Sequence, residues 1–172
     1  MTRRSRRRPL LDGLRGEEAA RVLGRLLDEH PELVGEVEEL ARAELGAVAS
    51  DSLVAEVIAA IDGIGLDQLN ARSGRIPGRG YVHEVDAAYE LVEGAIEPYH
   101  EDIRRRTRLG FVEAASEIVM AVLDALAEVV PAKEGSVLAY AGEDVPGELA
   151  GELIREAKSL GLHVSPDREP RW

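Results

Sequence analysis

The sequence contains no cysteine. Disulfides, thiolate nucleophiles, iron–sulfur clusters and every cysteine-based zinc site are excluded together, leaving histidine and carboxylates as the only metal ligands. Aromatic residues are nearly as scarce, at 3%, and none precedes Tyr81. The first 80 residues therefore hold no platform on which a nucleic-acid base can stack. No apolar run approaches the roughly 20 residues that span a bilayer, and the basic start leads into Pro9, Leu10, Leu11 and Asp12 without a signal-peptide core. These absences predict a cytoplasmic protein with no membrane segment. Strand patterns are missing as well, since no stretch alternates apolar and polar residues for more than a few positions.

What is present is charge, unevenly placed. The net charge of −12 divides into +5 for residues 1–16, which carry six arginines against Asp12, and −17 for the remaining residues, with 15 bases against 32 acids. An acidic body repels a polyanion, so wrapping of nucleic acid is not expected, although Arg3, Arg4, Arg6, Arg7 and Arg8 can touch phosphates. The better functional use of that arm is an electrostatic latch onto an acidic surface, its own or a neighbour's. As an isolated basic terminus, residues 1–15 are expected to be disordered.

Apolar residues recur at helical spacing through most of the chain. Ala19, Val22, Leu23, Leu26 and Leu27 predict a helix over 16–30, ended by Pro31, and Leu33, Val34, Val37, Leu40 and Leu45 predict a second directly after it. Two helices joined so tightly predict an αα-hairpin or corner. Ser50, Asp51 and Ser52 offer N-caps for a third helix, and a short helical turn is expected near residues 66–70. Residues 71–80, with Gly74, Gly78, Gly80, Pro77 and three arginines, read as a basic, glycine-rich loop. The longest pattern follows, with Val82, Val85, Tyr89, Val92, Ile96, Tyr99 and Ile103 at alternating gaps of three and four. Pro98 should kink or split that helix. Further helices are expected over 111–129 and 144–160, with a frayed tail over 164–172.

The fold class is therefore all-α: about six helices in αα-hairpins, forming an irregular bundle or a short helical-repeat-like stack, as one domain over 16–163. The run Leu26, Leu27, Asp28, Glu29, His30, Pro31, Glu32 and Leu33, with Gly80, Tyr81 and Val82 and the helix end Arg108, Leu109 and Gly110, resembles the helical regions that accompany SWIM zinc fingers in bacterial proteins. The resemblance spans roughly residues 20–160. It implies a helical scaffold only, because the finger itself needs a cysteine cluster and its zinc and nucleic-acid roles do not carry over.

The chemistry-bearing residues do not form a catalytic pattern. His30, His83, His100 and His163 have no partner at metal-binding spacing and are expected on the surface. No serine lies in a nucleophile elbow, and paired carboxylates are too common for one pair to stand out. Arg72, Arg75 and Arg79 in the glycine-rich loop make the best candidate for binding a small anion or an acidic segment, although the loop lacks the Gly-Lys-Ser/Thr of a nucleotide-hydrolase phosphate loop. Arg104, Arg105, Arg106 and Arg108 are explained by the negative end of their helix and by local pairs with Glu101 and Asp102. The expected function is a non-enzymatic helical protein-interaction or self-association module with no cofactor or metal, binding a protein partner or a second copy through Tyr81, Tyr89 and Tyr99. The alternative is a nucleic-acid-associated regulator using Arg3, Arg4, Arg6, Arg7 and Arg8 with the Arg/Gly loop. A third reading is an enzyme using His83 and Glu84.

Overall fold

The computed structural model describes residues 9–129, 136–142 and 144–165. Among these the architecture is all-α with one small hairpin. Its packing falls into two compact units, Met1–Glu44 and Leu45–Trp172.

In the first unit, α1 (Pro9–Asp12) precedes α2 (Gly16–Glu29). The Glu18 carboxylate accepts a hydrogen bond from the Arg15 backbone N–H at 2.9 Å, satisfying a donor at the entry to α2. Pro31 ends α2 as its ring chemistry requires, and a single 3-10 turn, Pro31–Leu33, leads into α3 (Val34–Gly46). Of the hairpin or corner expected here, the hairpin is not seen: α2 meets the 3-10 turn, but it does not pack along α3.

The second unit is built around two long helices, α6 (Glu84–Arg108) and α7 (Val112–Glu128). Pro98 neither splits α6 nor ends it; the helix runs unbroken through it. Gly110, at φ +86°, supplies the left-handed residue that turns the chain between them, and the Phe111 N–H returns to the Arg106 carbonyl at 2.9 Å. Around this pair stand α4 (Ser50–Asp62), α5 (Leu66–Arg72), α8 (Leu138–Ala141) and α9 (Val145–Ser159). The short α8 lies in what the sequence marks as a loop.

Residues expected as a glycine-rich loop instead form an antiparallel hairpin, β1 (Gly74–Ile76) with β2 (Gly80–Val82), in the register Ile76 to Gly80. Three-residue strands are too short to leave an alternating pattern. The turn itself is legible: Pro77 sits where φ is fixed, Gly78 at φ +82° takes the left-handed position, and the Arg79 N–H closes on the Ile76 carbonyl at 3.1 Å.

One core joins the second unit, with Val57 and Ile61 of α4, Leu69 of α5, Val92, Ile96 and Ile103 of α6, Val119, Val122 and Leu126 of α7, and Leu149 and Leu153 of α9 all buried. No helix among the described residues is long and apolar enough to cross a membrane.

Candidate functional site

The apolar stripe of the first unit has no such fate. Neither α2, nor the 3-10 turn, nor α3 buries a single residue. On α2, Val22, Leu23 and Leu26 are 47%, 41% and 42% exposed, and on α3 Leu40 is 64% exposed. The opposite side of α2 carries Arg21, Arg25, Asp28 and Glu29, with Arg25 3.9 Å from Glu29 one turn on. A segregated apolar face of this kind is what a helix shows when it packs against something. Isolated helices of 14 and 13 residues are marginal in water.

The tyrosines predicted as partner contacts do not gather on one surface. Tyr81, on β2, is 70% exposed, with its ring edge-on to His83 at 5.0 Å between centroids. Tyr89 and Tyr99 are half-buried and pack against the core. Burial, followed by the charges of Glu152, Glu93 and Glu148, pushes the Tyr89 hydroxyl above its ordinary titration range. Tyr99 is pushed up by burial and by Glu56 on α4. Tyr89 thus faces α9 and Tyr99 faces α4. The long-helix seam expected to be offered to partners is largely inside the unit, because Val82, Val92, Ile96 and Ile103 are buried there while Val85 is 55% exposed.

The three loop arginines also separate. Arg72 ends α5 and Arg75 is exposed on β1, whereas Arg79 is engaged by Glu90 of α6 through two hydrogen bonds of 3.1 and 2.6 Å. That pairing holds the Glu90 carboxyl below its ordinary range. Arg3, Arg4, Arg6, Arg7 and Arg8 lie outside the described residues.

A polar network that sequence reasoning missed ties α6 to α9. His100, expected on the surface, is only 9% exposed, and its Nδ1–H donates to Glu156 Oε2 at 2.5 Å. Arg104 donates from Nε to the other oxygen of Glu156 and from Nη1 to Glu97 at 2.9 Å. Burial raises the Glu156 pKa, but the bonds from Arg104 and His100, with their charges, outweigh it and hold the carboxyl below the ordinary glutamate range. No spacing in sequence announces this group, since 56 residues separate histidine from glutamate. A cavity of about 240 Å³ beside it is lined by Glu93, Glu97, Glu152, Ile96 and Leu149 together with the network itself. A histidine held by a carboxylate is a general-base arrangement, yet here Arg104 occupies the second oxygen and the groups satisfy one another.

Lower on α6, Asp102 accepts from Arg105 at 3.0 Å and from Arg106 at 2.9 Å, as its spacing predicts. Burial raises the Asp102 pKa, and the two arginines more than reverse that. Arg106 additionally donates to the carbonyls of Leu45 and Ala47 at the start of the second unit. Among the described residues, no group of three or more histidines and carboxylates converges as a metal site. Compared with known proteins, the chain matches no family model, no curated sequence and no solved structure, so the likeness to SWIM-associated helices stands on its residues alone.

Proposed function

We propose that this protein is a non-enzymatic helical interaction module whose contact surface is the apolar stripe of α2 and α3. One observation carries the reading: about 30 consecutive residues fold as helix with none fully buried and with Val22, Leu23, Leu26, Val34 and Leu40 exposed, while the second unit has a core of its own. Exposed apolar faces rimmed by charge mark sites of association. The long-helix tyrosines serve the fold more than a partner, because Tyr89 and Tyr99 pack on the core.

The nucleic-acid alternative has less support. Arg79 is held by Glu90, and the body around the hairpin is acidic. The test is Leu23→Glu with Leu26→Glu in the full chain. These positions are exposed, so the thermal unfolding of the second unit should stay unchanged while every protein association, with itself or with another chain, disappears. Association that survives the double substitution overturns the proposal.

A further inference from the structure

The cavity of about 240 Å³ between α6 and α9 is lined by four carboxylates, Glu93 and Glu97 from α6 and Glu152 and Glu156 from α9, against one guanidinium, that of Arg104. Glu93 and Glu97 stand about one helical turn apart, as do Glu152 and Glu156, and like charges at that spacing destabilise a helix. Arg104 is committed to Glu156 and Glu97. Glu93 has no cationic partner among the described residues, and Glu152 has only the exposed Arg155, at 3.7 Å. Burial, and then the charges of Glu152, Glu93 and Glu148, act on the Tyr89 hydroxyl, so carboxylates of both helices gather around one point.

Acidity alone selects no ligand, but His100 adds a more selective feature. It is only 9% exposed, and its Nδ1 is taken by Glu156. Its Nε2 has no hydrogen-bond partner among the described residues. No sealed side-chain nitrogen or oxygen among those residues goes unpaired, so Nε2 opens onto the cavity that His100 lines. With Nδ1–H donated to Glu156, Nε2 of the neutral ring presents a lone pair. Apart from the committed Arg104, every polar group in the lining is therefore an acceptor. The floor is apolar, formed by Ile96 and Leu149, each 1% exposed.

We infer that this cavity binds a small aliphatic amine in its ammonium form, with its N–H groups donated to His100 Nε2 and the Glu93 and Glu152 carboxylates and its methylenes laid on Ile96 and Leu149. A divalent metal ion suits the lining less well, because no three histidines and carboxylates among the described residues converge closely enough to coordinate one. An ammonium donates through separate N–H groups, tolerates wider spacing, and carries the carbon that the apolar floor can cover. The volume lies below the roughly 300–1,000 Å³ of sites for drug-sized ligands, which favours a short chain over a long polyamine. The site belongs to the second unit and does not depend on the α2 stripe.

The experiment follows the histidine ring nitrogens of the full chain by NMR during a titration with n-butylamine at neutral pH and constant ionic strength. The His100 ring should shift saturably, with half-saturation at about 1 mM, within the ceiling for a ligand of so few atoms. His30, His83 and His163 lie outside the cavity lining and should not move. Tetramethylammonium has the same charge but no N–H group, and should bind at least about tenfold more weakly. Glu93→Gln with Glu152→Gln, both at exposed positions, should raise the half-saturation concentration about fivefold to tenfold without lowering the thermal stability of the free chain.

A His100 signal that has not saturated by about 50 mM amine, some fiftyfold above the expected value, overturns the inference. Equal binding of tetramethylammonium also overturns it, reducing the cavity to a site of counterion condensation. Tighter binding of Mg²⁺ with the same His100 shift overturns it in favour of a metal ion. Where the double variant melts early, the comparison of the two ammonium probes on the wild-type chain still decides. None of these results bears on association through Leu23, so this proposal and the interaction reading fail separately.

Discussion

Helices α2 and α7 are of similar length and both are amphipathic, yet α7 buries nine side chains and α2 buries none. The difference lies in the breadth of their apolar faces. Around α7, Ala114, Ala115, Ile118, Val119, Ala121, Val122, Leu123, Ala125 and Leu126 cover most of the circumference, so α4, α6 and α9 can all pack on it. On α2 the apolar residues keep to one side and charged residues fill the other. A helix apolar nearly all round is folded into its own chain, whereas the one-sided α2 meets only the short 3-10 turn among the described residues of its unit and buries none of its residues fully.

The comparison is broken most directly in the core. Leu126→Ala removes a side chain only 1% exposed and should destabilise the second unit by about 2–5 kcal/mol in urea unfolding. If the loss is no greater than for an exposed leucine, the contrast between the two helices fails.

A smaller effect is expected at the α6–α9 network. Glu156→Gln leaves His100 and Arg104 without their anion and should cost about 1–3 kcal/mol near neutral pH. Because the native pKa of Glu156 is held below the ordinary 4.5, its contribution is complete above that value and is lost as pH falls through the lowered one. The stability gap between wild type and variant should therefore shrink on acidification. A gap that stays constant from neutral to acid pH would show that the carboxylate contributes nothing through its charge.

Next comes the hairpin. Gly78→Ala meets no steric obstacle but must hold φ near +82°, which should cost about 1–2 kcal/mol in the same assay. The smallest effect belongs to the other side of the comparison. Leu23→Ala in dilute protein should leave the unfolding of the second unit within about 0.5 kcal/mol of wild type, as an exposed position requires. A larger change would mean that the α2 stripe supports the folded core after all.

Much of this architecture is written locally in the chain. Pro31 and Gly110 mark the ends of their helices, Ser50 opens α4, and the spacing of Ile118, Val122 and Leu126 identifies the buried side of α7. Three features were not legible, each for its own reason. The strands of the hairpin are shorter than the period needed to reveal them. The burial of His100 depends on Glu156, brought close only by tertiary packing. Periodicity also says that a helix has an oily side without saying what covers it, so the long-helix stripe, taken as a surface for partners, is mostly interior, while the α2 stripe is open. The site proposed here was thus visible as a pattern but not as a site.

The unbroken course of α6 has one more consequence. This single rod touches α4, α5, α7, α8 and α9, and α7 in turn braces α4 and α9, so every helix of the unit packs on at least one of these two. The second unit should accordingly melt as one body, with slow-exchanging amides in all of these helices opening together.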